Sequence, residues 1–72
     1  MFKTKDFYLA ATLVMLGNTI RQHTKEDLKT VFYFEDSEML QKQVQDYFYD
    51  RLRVSPHQYQ TAIKTIKSII YS

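Results

Sequence analysis

The chain has 72 residues, a net charge of +2 from ten Lys/Arg against eight Asp/Glu, and no cysteine. That length makes one domain, and without cysteine neither disulfides nor thiolate metal sites can reinforce it. The mild basicity falls short of the clustered charge of a dedicated duplex-DNA binder, and 44% hydrophobic and 15% aromatic content with one Gly and one Pro excludes a disordered chain.

A domain this short buries about 60% of its unfolded surface, so self-association is a reinforcement left open. A cysteine-free chain fits a reducing compartment, and a cytoplasmic location is expected. Phe7 to Leu16 is nearly all apolar and follows Lys3 and Lys5, in the manner of a signal peptide. It is shorter than the roughly 20 apolar residues of a membrane span. Met15-Leu16-Gly17-Asn18 leads into structured-looking sequence without a small-residue cleavage site, so the segment reads as a helix.

The first helix is expected from about Lys5 to Leu16, with Thr4 as N-cap, Asp6 in its first turn and Gly17 closing it. Only Thr12 is polar between Phe7 and Leu16. Such a helix is either central or part of an interface. A strand is expected in Asn18 to His23, a turn in Thr24 to Asp27, and a stronger strand in Leu28 to Phe34. Alternation puts Leu28, Thr30, Phe32 and Phe34 on one face and Lys29, Val31 and Tyr33 on the other. The second helix begins after Asp36, with Leu40, Val44, Tyr47 and Phe48 inward and Gln41, Lys42, Gln43 and Gln45 wet. Arg51-Leu52-Arg53-Val54 alternates charge with aliphatic and predicts a short third strand, arginines outward. Ser55-Pro56-His57-Gln58 is a capping box with Pro at the first helical position. The third helix then runs from Pro56 to about Tyr71, with Tyr59, Ala62, Ile63, Ile66, Ile69 and Ile70 inward. The expected fold is α+β, in the order α-β-β-α-β-α. One domain, 1–72, holds a small three-stranded sheet, an antiparallel hairpin plus the short third strand, with helices packed on one face.

Nothing in this pattern carries catalysis. His23 and His57 are the only histidines, one at a turn and one in a helix's first turn, and each reads as a surface residue rather than a base. Glu35, Asp36 and Glu38 cluster, but helix capping accounts for Asp36 and Glu38. No metal-ligand spacing is present, and one glycine cannot make a phosphate loop. The chain is expected to be non-enzymatic, with no cofactor and no metal.

The sheet face turned away from the helices is the candidate binding surface. It is expected to carry Arg21, Lys29, Val31, Tyr33, Arg51 and Arg53. Aromatics among arginines suit a protein interface, homo- or heteromeric, or a stacking platform for single-stranded nucleic acid. The plain alternative is a solvated face with arginine stems lying over Tyr33. Lys64 and Lys67 share a side of the third helix with Gln60 and Tyr71, a pattern usual for a wet helix face.

Three stretches, taken together, resemble a known group of sequences. They are Phe2 to Ala11, Phe32-Tyr33-Phe34-Glu35-Asp36, and Val54-Ser55-Pro56 running into Tyr59, Ala62-Ile63-Lys64 and Ile66 to Tyr71. The chain resembles an uncharacterised family of short domains of unknown function from bacteriophages, prophages and bacterial mobile elements. Relatives often have a glycine in the hairpin turn and another after the helix 2 aromatics, where this chain has Thr24-Lys25-Glu26-Asp27 and Asp50. The resemblance implies an accessory protein inside a bacterial cell. It is expected to bind a protein partner, as adaptor or inhibitor of host machinery, with homodimerisation open. Single-stranded nucleic-acid binding is the alternative, and no membrane partner is expected.

Overall fold

The computed structural model describes residues 1–71. Its elements are β1 (Phe2–Thr4), α1 (Phe7–Met15), β2 (Ile20–Glu26), β3 (Lys29–Phe34), α2 (Glu38–Phe48) and α3 (Pro56–Ile70). The strands form one sheet in the order β1-β3-β2, with both pairings antiparallel. β1 and β2 therefore run parallel on either side of β3 and are joined through α1, a split β-α-β arrangement. The expected α+β class, three-stranded sheet and three helices are all present.

The position of the third strand differs from the expectation. It is Phe2–Thr4, at the start of the chain, and Arg51 to Val54 joins no strand. Phe2 and Ile20 both oppose Phe34, and Lys3 and Gln22 both oppose Tyr33. Three residues are too few to show an alternating pattern, so β1 leaves no periodic signal. β2 also runs further than expected, through Thr24-Lys25-Glu26, and only Asp27 and Leu28 form the turn. Both have positive φ, 56° and 83°, as in a type I′ hairpin.

Helices α1 and α2 are capped two residues and one residue later than expected. Thr4 ends β1, and its Oγ1 accepts from the Asp6 amide at 3.0 Å. Asp6 is the N-cap of α1, accepting from the amides of Tyr8 and Leu9 at 3.0 and 3.1 Å. Ser37, not Asp36, caps α2 by accepting from the Leu40 amide at 3.0 Å, while Asp36 accepts from the Gln41 side chain. Ser55 and Pro56 open α3 as expected.

Helix α1 is central. Leu9, Ala10, Ala11, Thr12 and Leu13 are all buried, at no more than 3% exposure. Thr12 enters the interior without an unpaired hydroxyl, because its Oγ1 donates to the Tyr8 carbonyl at 2.7 Å. The core joins Leu9 and Leu13 to Phe32 and Phe34 of the sheet, Leu40 and Val44 of α2, and Ala62 and Ile66 of α3. The spare apolar side of α1 considered as an interface is thus filled within one chain.

Helix α3 runs antiparallel to α1. Just beyond the far end of α1, Asn18 Nδ2 donates to Gln43 Oε1 at 2.8 Å, midway along α2. Met15 lines one groove with His57 at the start of α3, and Phe7 lines another with Ile70 at its end. Residues 49–55 connect the end of α2 to the start of α3, and Tyr47 and Tyr59 at those two ends line one depression. This segment is a strap. Its Leu52 and Val54 line a depression with Thr12, Tyr47 and Tyr59, one side chain from each helix. The Arg/aliphatic alternation marks an extended segment, but its apolar side meets helices instead of a core face of the sheet.

Two helix ends need left-handed backbone. Gly17 has φ of 100°, and the Asn18 amide reaches back to the Leu13 carbonyl at 3.0 Å. Asp50 has φ of 56°, and the Arg51 amide reaches the Asp46 carbonyl at 2.8 Å. A Cβ on Gly17 meets nothing within 4 Å, so Gly17→Ala should cost only backbone strain, about 1 kcal/mol. Asp50→Gly should stabilise by up to about 1 kcal/mol. Urea unfolding followed by circular dichroism measures both.

Candidate functional site

The outer sheet face is uncovered but is not an apolar platform. Alternation along β3 turns Val31 and Tyr33 outward, opposite the buried Phe32 and Phe34. Val31 is nevertheless only 2% exposed, and Tyr33 is half-buried. β3 is the middle strand, so side chains from both neighbours close over it. Thr24 flanks Val31, and Lys3 and Gln22 flank Tyr33. Lys5 Nζ meets Glu26 Oε1 at 3.2 Å, joining the two sides across β3.

The six residues expected on this face are not brought together. Lys29, Val31 and Tyr33 are there. Arg21 sits at a register irregularity between Ile20 and Gln22, and its guanidinium pairs with Glu35 at 2.8 Å. Arg51 and Arg53 lie in the strap over the helical layer, because the segment that carries them joins no strand. Arg51 is stacked over the Tyr49 ring, 5.1 Å from its centroid.

Large exposed apolar side chains gather elsewhere, at the end of the molecule where α1 begins, α3 ends and the β2–β3 hairpin turns. Phe7, Tyr8, Leu28 and Ile70 line one groove there, rimmed by Lys5 and Lys29. Tyr8 is 58% and Leu28 fully exposed. Phe48 and Tyr49 at the end of α2 are exposed as well. The expected inward position of Phe48 is incorrect. Leu40 and Val44 bury themselves against α1, while Phe48 turns out and only Tyr47 is half-buried. Tyr47-Phe48-Tyr49 carried the signal, since three consecutive helical side chains spread over about 200° and cannot all face the core.

No group of three or more His, Cys, Asp or Glu among the described residues is placed to share a metal ion. Among them, no helix is long and apolar enough to cross a membrane.

Comparison with protein families finds a match over residues 1–72 to the model described as Domain of unknown function (DUF5659). The chain belongs to that family. Neither the curated proteins nor the solved structures searched contain a match to this DUF5659 domain.

Within the DUF5659 domain the Tyr47 hydroxyl is perturbed. Burial pushes the Tyr47 hydroxyl above its ordinary value of 10.0, and the Asp6 carboxylate and the Tyr59 and Tyr8 hydroxyls push the same way. The folded state therefore holds this proton more tightly than the unfolded chain. Its contribution to stability is complete below pH 10 and is lost as pH rises through the folded pKa. Unfolding midpoints should fall above pH 10, and Tyr47→Phe should reduce that fall, as measured by thermal melts across the alkaline range.

Proposed function

We propose that this domain is a non-catalytic binding module that docks a protein partner at the end where α1, α3 and the hairpin turn meet. The observation that carries the reading is Leu28. It occupies the second position of a two-residue turn with φ of 83°, where glycine is favoured, and its side chain is wholly exposed. A bulky residue held there costs backbone strain and gains nothing from burial in the single chain. Strain of this kind is retained where a contact outside the chain uses it. Tyr8 stands beside Leu28 in the same groove and Lys29, in no ion pair among the described residues, borders it, so a partner with an apolar anchor beside an acidic side chain fits.

The resemblance to phage and mobile-element domains supports an accessory role, as adaptor or inhibitor of host machinery in a bacterial cytoplasm. A second copy of the chain is the other occupant of this end. Nucleic-acid binding on the sheet face loses support, because two of its arginines lie elsewhere.

Leu28→Gly separates stability from binding. It should raise the unfolding free energy by about 0.5–1 kcal/mol through relief of strain. With Tyr8→Ser, it should abolish capture of the partner from host lysate and any concentration-dependent mass in light scattering. Arg51→Gln/Arg53→Gln should keep both. A wild-type chain that stays monomeric and captures nothing, or a double variant that retains the partner, overturns the reading.

A further inference from the structure

Charge is divided unevenly along the chain. All eight carboxylate side chains lie between Asp6 and Asp50, whereas residues 51–71 carry Arg51, Arg53, Lys64 and Lys67 and no acidic side chain. These four cations are exposed, and none is in an ion pair among the described residues. Asp50, the last carboxylate, lines the depression beneath the strap.

The fold places these cations on one side. The strap lies over the helical layer and delivers the chain to the start of α3. On α3, Gln60, Lys64, Lys67 and Tyr71 recur at spacings of three and four and are all exposed. Tyr59 lines the strap's depression, and Gln60 follows it about 100° further round, so this stripe begins beside the strap and runs along α3 away from it. Tyr49 is 68% exposed and carries the Arg51 guanidinium over its ring. Cations in no ion pair, beside an open ring already stacked on a guanidinium, match what an unpaired base and its phosphates require. Four cations are few for a duplex, and a ring has no unstacked base to meet there.

We propose that the strap and the outer stripe of α3 form a binding surface for single-stranded nucleic acid. Arg51, Arg53, Lys64 and Lys67 contact phosphates, and Tyr49 with Arg51 stacks a base. The surface is separate from the groove at Leu28, so either reading can fail while the other stands.

Fluorescence anisotropy with labelled oligothymidylate tests it, with a duplex of equal length and polyglutamate as competitors. Four phosphate contacts on a single strand predict a loss of affinity of roughly fifty-fold between 50 and 200 mM salt. Arg51→Gln/Arg53→Gln should halve the logarithmic salt slope, and Lys64→Gln/Lys67→Gln should do the same. Tyr49→Ser should weaken binding several-fold with the slope unchanged. Lys3→Gln/Lys29→Gln on the sheet face and Leu28→Gly should bind as the wild type does. Circular dichroism confirms that each variant is folded. No binding at low salt, tighter binding to the duplex, displacement by polyglutamate as effective as by the oligonucleotide, or loss confined to the sheet-face variant overturns the proposal.

Discussion

Helix α1 is buried from Leu9 to Leu13, and the rest of the molecule is arranged to supply the walls it needs. The inner face of the sheet, α2, α3 and the strap each cover one part of it. Burying Leu9 and Leu13 contributes about 1.5–3 kcal/mol apiece, against Phe32 and Phe34 of β3, which are buried as fully. Ala10 and Ala11, both fully buried, add little area of their own but let neighbouring backbones approach closely. The segment between α2 and α3 lies against all three helices, with Leu52 half-buried and the arginines outside.

Much of this was legible in the sequence, and the gaps have physical causes. The core of the hairpin, the stripes of α2 and α3 and the Ser55-Pro56 start are written in periodicity and capping chemistry, which act locally. The near-absence of polar residues in α1 correctly allowed it to be central. The third strand was misplaced because alternation reports an extended segment with one apolar side and is silent about what that side touches. For Leu52 and Val54 it touches helices. β1 is held by pairing with β3, a tertiary effect that three residues cannot announce.

The candidate sites were less legible. Val31 was placed on the correct side of its strand, but its burial depends on β3 being central, which follows from where β1 pairs. Leu28 reads as a strand residue in the sequence, and its exposure follows from β2 extending to Glu26. Two departures from the glycines of related sequences fall beside or on left-handed positions, Asp27-Leu28 at the hairpin and Asp50 after α2. Missing glycines were thus the sequence's clearest pointers to unusual backbone.

The dependence of α1 on α3 also sets an order in time. α1 occupies residues 7–15, and the helix that packs against it occupies residues 56–70. Until α3 has been made and the strap has crossed, one flank of the most apolar helix in the chain stays open to water. Contacts this distant in sequence must overcome the entropy of closing a long loop before they return any stability. A growing chain therefore gains little from its early helix, and the domain closes only after its last helix has been synthesised. For that interval α1 is an adhesive segment, exposed to whatever apolar surface lies nearby.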